Sequence, residues 1–504
     1  MTRRRDRGQR AEAGVWQAPY RQPAFTYRPM EVVSADEVAA IHATALTILA
    51  EIGIKVLSAE ARRLYVGAGG ENEAGTDRVR FPPGMAMALV AKAPAEFVLH
   101  ARDPAKTVRI GGRHFIFSSV GGPAYVCDLE KGRRQGTFAE QRDFLKLVQS
   151  LNILHQEGGG PFEAMDLDPR TRHLDLYGAQ ATLLDKNWQP QGLGRNLALD
   201  ALDVAAISLG MEREALVGHC VFTAIINTNS PLQLDVPMAE GLIAMAEHGQ
   251  CNVITPFTLA GAMSPVTLAG ALAQQHAEAI AGIALAQIVR PGAPVMYGGF
   301  TSNVDMRSGA PAFGTPEYAK AAQVSGQLAR LVGVPFRSSN VTAANDVDAQ
   351  AAYESMMSLW GAVTGGANLI LHAAGWLNGG LTASFEKLVI DAELLQMMAA
   401  WCEPLTVDAQ SLALEAVRDV GPAGHFFGTA HTLARYETAF YRPLISNWDN
   451  YDTWKERGSE TAPARANRIW KQLLADYVEP TMDEGRREAI AAFVERRKEA
   501  YLRP

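Results

Sequence analysis

The side chains that could do chemistry in this chain follow short apolar runs, and their types favour binding over proton transfer. Aromatic rings attract a quaternary ammonium ion through their faces. An arginine can hold a carboxylate with two parallel hydrogen bonds. We predict that these residues contact a small cationic amine, and we assign none of them a catalytic role. The ten candidates are Tyr125, Glu157, Asn227, Phe257, Phe300, Asp305, Arg337, Asn340, His372 and Trp376.

The residues that several other enzyme mechanisms require are missing near the ends of these apolar runs. No lysine follows any of the apolar runs, so a Schiff-base mechanism has no nucleophile. A metal hydrolase needs several histidine and carboxylate ligands, whereas His372 and His155 are the only histidines near these positions. No two runs end in carboxylates paired as in a glycosidase. The four cysteines form no C-x-x-C pair, so we expect neither a metal site nor a disulfide framework.

Each candidate also has a purely structural interpretation. Arg337 could pair with an acid, and His372 could be a hydrogen-bonded core histidine. The aromatic candidates could serve packing alone. Asp305 lies in the sequence NVD, which is typical of a turn in which aspartate bonds local backbone. Glu157, at the end of an apolar run, is harder to explain in this way.

A repeat along the chain predicts the elements that position these residues. Apolar runs alternate with helical patterns, and their starts are roughly 32 to 42 residues apart, the length of a strand, a helix and two loops. Eight such units predict a (β/α)8 TIM barrel over residues 113–404, with the candidates at the carboxyl ends of the strands. An open doubly wound sheet is the alternative, although no G-x-G-x-x-G or Walker motif supports it. The runs begin near Phe115, Ile153, Trp188, Val221, Val253, Val295, Phe336 and Leu369.

The segments outside the repeat have a different character. We predict a disordered tail for residues 1–30 and an accessory α+β cap for residues 31–112. Ser34 and Glu37 have the spacing of a capping box at the start of the first helix. We predict that residues 405–504 form a helical arm. Its aromatic stretch suggests contact with a second subunit, so we expect a homo-oligomer.

Charge and hydropathy exclude several partners. The net charge of -7 argues against nucleic acid or an anionic membrane. No apolar stretch follows the basic N-terminus, so we predict no secretory signal and a cytoplasmic location. The long apolar pattern from Thr267 to Val289 contains His276 and Glu278, which would be costly in lipid. We therefore predict a buried barrel helix there.

Long stretches of the chain resemble the trimethylamine methyltransferase family. The stretches are INTNSPLQLD, TPFTLAGAMSPVTLAGALAQQ, YGGFTSNVDMRSGAPAFGTPE, DAQAAYESM and GHFFGTAHTLARYETAFYRP. The early helix IHATALTILAEIGIKVLS also resembles that family. The resemblance covers nearly the whole chain from about residue 30.

The resemblance implies a TIM barrel that moves a methyl group from a methylated amine to the cobalt of a corrinoid protein. Cobalamin would then arrive with that partner, and no cofactor would be tightly bound. The family's archetype uses pyrrolysine, whereas this sequence has only standard residues and so resembles a branch with members acting on glycine betaine. Arg337 and His372 lie where we place the contacts to a betaine carboxylate. A folate acceptor, or a protein that binds betaines without catalysis, stays open as an alternative.

Overall fold

Eight short parallel strands, each followed by a helix, form the central part of the protein. The computed structural model describes residues 14–503. The strands are β1 Ile116–Phe117, β2 Gln156–Glu157, β3 Asn187–Trp188, β4 Thr223–Ile226, β5 Cys251–Ile254, β6 Val295–Gly298, β7 Phe336–Ser339 and β8 Leu369–Leu371. The helices are α1 Phe138–Ser150, α2 Arg172–Leu183, α3 Arg195–Leu209, α4 Val236–Glu247, α5 Leu268–Val289, α6 Pro316–Leu331, α7 Ala349–Thr364 and α8 Phe385–Trp401. All eight predicted strand and helix pairs are present.

The strands are ordered as they follow one another in the chain. β4, β5, β6, β7, β8 and β1 form one continuous parallel sheet. A parallel bridge between Ser118 and Gln156 leads from β1 to β2, which pairs with β3. Between β3 and β4 the described contacts are side-chain bonds, such as Gln189 Nε2 donating to Thr223 Oγ1 at 2.8 Å. A doubly wound sheet would reverse its order at a switch point, and this sheet does not.

The amino ends of the strands are closed by a hairpin. Its strands, Glu96–Leu99 and Val108–Gly111, pair antiparallel. Leu99, Val108 and Ile110 are buried in one cluster with Cys220, which precedes β4, and with Ile116, Cys251, Val253, Met296 and Leu369 of the central strands. The hairpin therefore fills the lower end of the strand assembly, and space for a ligand is left at the upper end.

The carboxyl ends of β5 and β6 continue upward after a short break. The continuing strands Phe257–Ala260 and Phe300–Val304 pair in parallel, with Phe257 opposite Phe300. Pro311–Ala312 adds a third strand to this small sheet. A second upper sheet contains Tyr125–Asp128, Gly132–Arg134, Trp376–Leu377 and Thr382–Ser384. These sheets extend the wall above the central strands.

The segment before the repeat packs on α5. Its helices are Ala35–Thr47, continued by a π-helical turn Ile48–Ile52, then Ala59–Gly67 and Met85–Val90, and its strands are Ile54–Val56, Glu71–Asn72 and Arg78–Arg80. The predicted capping box of Ser34 and Glu37 is confirmed. Tyr65 donates a hydrogen bond to the Ala281 carbonyl of α5 at 2.8 Å. Of the predicted disordered tail, residues 1–13 lie outside the described residues, whereas Phe25 is buried and its N–H bonds the Arg113 carbonyl at 2.8 Å.

The C-terminal segment is helical, as predicted. Short helices Ala409–Leu412, Leu414–Val420, Ala430–Leu433 and Tyr451–Glu456 precede two longer ones, Ala462–Ala475 and Glu484–Leu502. The helix Ala462–Ala475 packs on α8, and Glu484–Leu502 packs on α2 and α3. The domain boundaries stay predictions.

The apolar helix α5 is buried in the protein. Gln275, His276, Glu278 and Gln287 are all buried on it with hydrogen-bond partners. Within residues 14–503, none of the helices combines the length and the apolar character needed to cross a bilayer.

A buried ion pair inside α8 supports the loop that follows β8. The Lys387 ammonium binds the Asp391 carboxylate, and both side chains are at most 1% exposed. Lys387 also donates to Ser355 Oγ at 2.7 Å, and Asp391 accepts from the Gly375 N–H at 2.9 Å. Breaking such a pair on one side leaves a buried charge without compensation.

We expect Lys387→Met to lower the free energy of unfolding by about 3–5 kcal/mol, because Asp391 would be left charged and unpaired. Urea titration followed by circular dichroism measures this change. Arg418→Met is the matched control, since it breaks an ion pair with Glu415 whose side chains are 63% and 80% exposed, and it should change stability very little. Equal effects of the two substitutions would show that Lys387–Asp391 does not support the loop.

Candidate functional site

A cavity of about 490 Å³ opens at the carboxyl ends of the strands. Loops after several of the eight strands line it. Six of the ten candidates are among its lining residues: Asn227, Phe257, Phe300, Arg337, His372 and Trp376. The charged groups in the lining are Arg337 and Glu163, and Glu163 is paired with Arg172 at 2.8 Å.

Arg337 is a buried cation that faces this cavity without a counter-charge. The residue lies on β7 and is 1% exposed. Its Nε and Nη1 atoms have no hydrogen-bond partner, and no carboxylate of the described chain forms an ion pair with it. The guanidinium carbon lies 5.2 Å from the centroid of the Phe300 ring. Burial lowers the pKa of Arg337 to about 10, so the group stays charged at neutral pH.

His372 stands beside this arginine as a neutral imidazole. Burial, and next the charge of Arg337, lower the pKa of His372 well below its usual range. The Gly121 N–H donates to His372 Nδ1 at 3.4 Å. That contact makes Nδ1 the acceptor and assigns the ring proton to Nε2. Together Arg337 and His372 offer hydrogen-bond donors and no acid that could protonate a substrate.

The rings of Phe257, Phe300 and Trp376 line another part of the cavity. The Trp376 ring lies 4.4 Å from His372 and 6.3 Å from Phe300, and Phe257 lies 5.3 Å from Phe300 (centroid distances). The Trp376 indole N–H donates to the Thr342 carbonyl at 3.2 Å. A Cβ on Gly380 would lie 2.4 Å from the indole, so only glycine fits beside the ring.

Two glycine loops meet at the edge of the cavity. A Cβ on Gly121 would lie 1.9 Å from the Gly158 carbonyl, so the loops after β1 and β2 approach too closely for any side chain. Glu157 fixes the second loop, because its carboxylate accepts from the N–H groups of Gly159 and Gly160 at 3.0 and 2.8 Å. The Gln180 amide of α2 donates to the same carboxylate at 2.5 Å.

The other four candidates lie outside the cavity lining. Glu157 points away from the interior and holds the glycine loop. Tyr125 stacks with Arg133, whose guanidinium lies 3.7 Å from the ring centroid. Asn340 is buried and donates to the Ala373 carbonyl at 2.8 Å. Asp305 is exposed and accepts from Ser308 at the tip of a turn, which is the structural alternative foreseen for it.

The structure adds residues to the site that the candidate set lacks. Gln189 and Gln191 line the cavity after β3, and Thr255 lines it after β5. Phe313 lies behind the lining and packs on Trp376 and Phe300, with centroid distances of 6.2 and 5.7 Å. Phe313 follows the short upper strand Pro311–Ala312, which was not predicted from the sequence, so the predicted strand ends gave no signal for it. Within the described range, no three His, Cys, Asp or Glu side chains are grouped to hold a metal ion.

Comparisons with known proteins identify the family of the chain. A family model described as trimethylamine methyltransferase (MTTB) matches residues 1–501. A glycine betaine methyltransferase of Desulfitobacterium hafniense is 36% identical over 467 residues, covering 92% of this chain and 97% of the relative. The trimethylamine methyltransferase MttB1 of Methanosarcina mazei is 27% identical over 485 residues, covering 94% and 96%. The solved monomethylamine methyltransferase (MtmB) of Methanosarcina barkeri is 12% identical with a TM-score of 0.47, covering 88% of this chain and 94% of that one.

The family model and the 36% identical relative identify the class of protein as a methyltransferase. The chain belongs to the trimethylamine methyltransferase family, as its sequence stretches indicated.

The supporting role of Glu157 predicts a specific pH dependence of stability. Burial raises the pKa of Glu157 to about 7, above its value in the unfolded chain. A raised carboxyl pKa adds stability at low pH, and this stability is lost as pH rises through 7. The free energy of unfolding of the wild type, relative to Glu157→Gln, should therefore fall by about 2–3 kcal/mol from pH 5 to pH 8. Urea titrations of both proteins across this range measure it, and a constant difference would contradict the assignment.

Proposed function

We propose that this enzyme removes a methyl group from a quaternary amine that carries a carboxylate, of the glycine betaine type, and transfers it to the cobalt of a corrinoid protein. The observation that carries the proposal is the buried, unpartnered guanidinium of Arg337. A buried charge without compensation is costly, and natural proteins keep one where a ligand supplies the partner.

The chemistry of the cavity supports a carboxylate at this end. Arg337 can donate two parallel hydrogen bonds to a planar anion. His372 can add a third donor through Nε2, since its Nδ1 already accepts from Gly121. Trimethylamine has no carboxylate and would leave both residues without a partner. The 36% identical relative named as a glycine betaine methyltransferase supports the same substrate class.

The aromatic rings support a quaternary ammonium at the other end. Trp376, Phe300 and Phe257 lie within one cluster beside Arg337. Ring faces attract a cation that is too substituted to donate hydrogen bonds. The Glu163 carboxylate is already paired with Arg172, so the rings rather than an acid would hold the trimethylammonium group.

The open upper face supports a large methyl acceptor. The hairpin Glu96–Leu99 and Val108–Gly111 fills the lower end, and we propose that the eight strands close above it as a complete TIM barrel. Gly122 has open space around it at the mouth, where Leu193 and Leu381 are exposed. Reduced cobalt supplies the nucleophile when the corrinoid protein docks. The leaving amine departs neutral, so this chain needs no general acid and instead binds and orients the substrate.

The proposed location is cytoplasmic. Its support is that Cys127, Cys220, Cys251 and Cys402 are all free thiols, and three of them are buried.

Substitution of Arg337 should separate binding from folding. We expect Arg337→Met to lower kcat/KM for glycine betaine by about 30-fold or more, because a buried charge pair contributes about 2–5 kcal/mol. The same change removes an uncompensated charge, so the thermal unfolding midpoint should stay constant or rise. Cobalt methylation, followed by absorbance with a reduced corrinoid protein, measures the rate.

Arg133→Met is the matched control, since Arg133 also lies over an aromatic ring but outside the cavity. It should leave kcat/KM nearly unchanged. Choline has the ammonium but no carboxylate, so the wild type should have a lower kcat/KM for choline than for glycine betaine. Arg337→Met should remove this difference. Equal loss for both compounds would contradict a carboxylate contact. Turnover with a folate acceptor in the absence of a corrinoid would instead support a folate-dependent methyltransferase. Binding of glycine betaine without turnover would support a non-catalytic binding protein.

Substitution of Trp376 should test the ammonium end. We expect Trp376→Leu to weaken glycine betaine binding by about tenfold, because a desolvated cation–π contact contributes about 1–2 kcal/mol. Binding of 3,3-dimethylbutanoate, which replaces the ammonium nitrogen by carbon, should change much less. Calorimetry with both ligands measures the ratio, and an unchanged ratio would exclude cation recognition by this ring.

A further inference from the structure

The ring of Trp376 is held in place by the loop that follows β7. The indole N–H donates to the Thr342 carbonyl at 3.2 Å, and the Gly379 N–H donates to the same carbonyl at 3.1 Å. The Asn378 N–H donates to the Ala344 carbonyl at 2.8 Å. The position of the ring, and of the turn that carries it, therefore depends on the position of this loop.

The loop after β7 is in turn held by the carboxylate of Glu354 on α7. Its Oε2 atom accepts from the N–H groups of Ala343 and Ala344 at 2.9 and 3.2 Å, and also from the hydroxyl of Thr342. The Gln350 amide, one helical turn earlier, donates to its Oε1 atom at 2.8 Å. Glu354 is 9% exposed and is not among the residues that line the cavity. Its carboxylate therefore fixes the loop from behind the cavity.

A second contact places Glu354 against the backbone behind the ring. A Cβ on Gly314, where φ is +72°, would lie 2.3 Å from the Cβ of Glu354, so only glycine fits there. Gly314 follows Phe313, whose ring packs edge-on to Trp376 at a centroid distance of 6.2 Å and an interplanar angle of 90°. Glu354 thus contacts both the loop that bonds the indole and the turn that carries Phe313.

The orientation of an aromatic ring matters more for a cation than for a neutral group. A cation is attracted by the face of the ring, within about 6 Å of its centroid. An uncharged group of the same shape gains from contact with the face or the edge, because burial of apolar surface has no preferred direction. A ring that loses its orientation should therefore lose affinity for an ammonium ligand and keep most of its affinity for the carbon analogue.

We propose that Glu354 is a positioning residue for cation recognition. Through the loop after β7 it holds the Trp376 ring with its face towards the ammonium group of the substrate. This inference rests on the proposed function, which assigns Trp376 to the ammonium end. Glu354 contacts neither the substrate nor the reacting atoms, and it acts on binding through the ring.

Calorimetry with glycine betaine and 3,3-dimethylbutanoate tests this role. The ratio of the two affinities measures the preference for an ammonium nitrogen over carbon. We expect Glu354→Gln to lower this ratio by about threefold to fivefold, less than the loss in Trp376→Leu, because the ring is still present but no longer held.

Glu157→Gln is the matched control for this measurement. The Glu157 carboxylate also accepts from two backbone N–H groups and a glutamine amide. Its loop, however, contributes no aromatic ring to the lining of the cavity. The affinity ratio should therefore stay at the wild-type value in Glu157→Gln.

A direct effect of the Glu354 carboxylate on the ammonium group would give a different pattern. In the positioning role, Glu354→Gln should add at most about twofold to the loss in Trp376→Leu, because the ring through which it acts is gone. A direct effect would add its full factor in the double variant. Thr342→Val removes the hydroxyl that donates to Glu354 but keeps the carboxylate, and it should lower the ratio in the same direction. This variant also decides the question if Glu354→Gln does not fold.

The indole N–H of Trp376 gives a readout that needs no ligand. In protein labelled with nitrogen-15 tryptophan, its NMR signal is the one that is absent in Trp376→Leu. We expect this N–H to exchange with solvent about tenfold faster in Glu354→Gln, because the loop that bonds it opens more readily. Its exchange rate should not change in Glu157→Gln.

The outcomes separate this inference from the proposed function. A constant affinity ratio or a constant indole exchange rate in both Glu354→Gln and Thr342→Val would overturn the inference and leave the ammonium contact of Trp376 intact. Equal loss of both ligands in Glu354→Gln, or its full additional loss in the double variant, would also overturn it. A constant ratio in Trp376→Leu would instead contradict the ammonium contact itself, and the inference with it.

Discussion

A guanidinium buried without a counter-charge is the constraint on which the site depends. Arg337 has two nitrogens without partners beside an open cavity. Neutral His372 cannot compensate the charge, and the Phe300 ring compensates it only in part. The free protein therefore bears an electrostatic cost that an anionic ligand removes. A site built in this way favours a ligand that carries an anionic group.

Buried carboxylates hold the loops around this cation in place. Glu157, Glu278 and Glu354 each accept hydrogen bonds from backbone N–H groups of the loop after β2, β4 or β7. Asp391 does the same for the loop after β8 through Gly375. Except for Glu157, these acids come from the outer helices, so helix packing fixes loop geometry. These acids bond backbone N–H groups, and among the described ion pairs none joins a carboxylate to Arg337.

The sequence predicted β4, β5, β6 and β8 well because these strands are largely apolar, as parallel strands buried on both faces are. β2, β3 and β7 contain polar residues, so apolar content alone does not identify them. The sequence placed Arg337 and His372 at the cavity because they lie on or directly after strands. It misplaced Glu157 because neighbouring strand residues point to opposite faces: Gln156 bonds Thr223 in the interior, and Glu157 faces α2. It misplaced Asp305 because the continuing strand Phe300–Val304 carries the chain out of the cavity, and such pairing is not visible in one sequence.

The division of the molecule into a closed lower end and an open upper end follows from the chemistry it serves. A methyl group on a quaternary nitrogen leaves behind a neutral amine, so neither a buried acid nor a proton path is required. For the proposed substrate, the protein needs a fixed anchor for the carboxylate, aromatic rings for the cation and free access for the methyl acceptor. Arg337 is the proposed anchor for the carboxylate, and the aromatic cluster is the proposed contact for the cation. Glycines at the mouth of the cavity leave room for the methyl acceptor, because a loop without side chains lets a large reactant approach the bound methyl group.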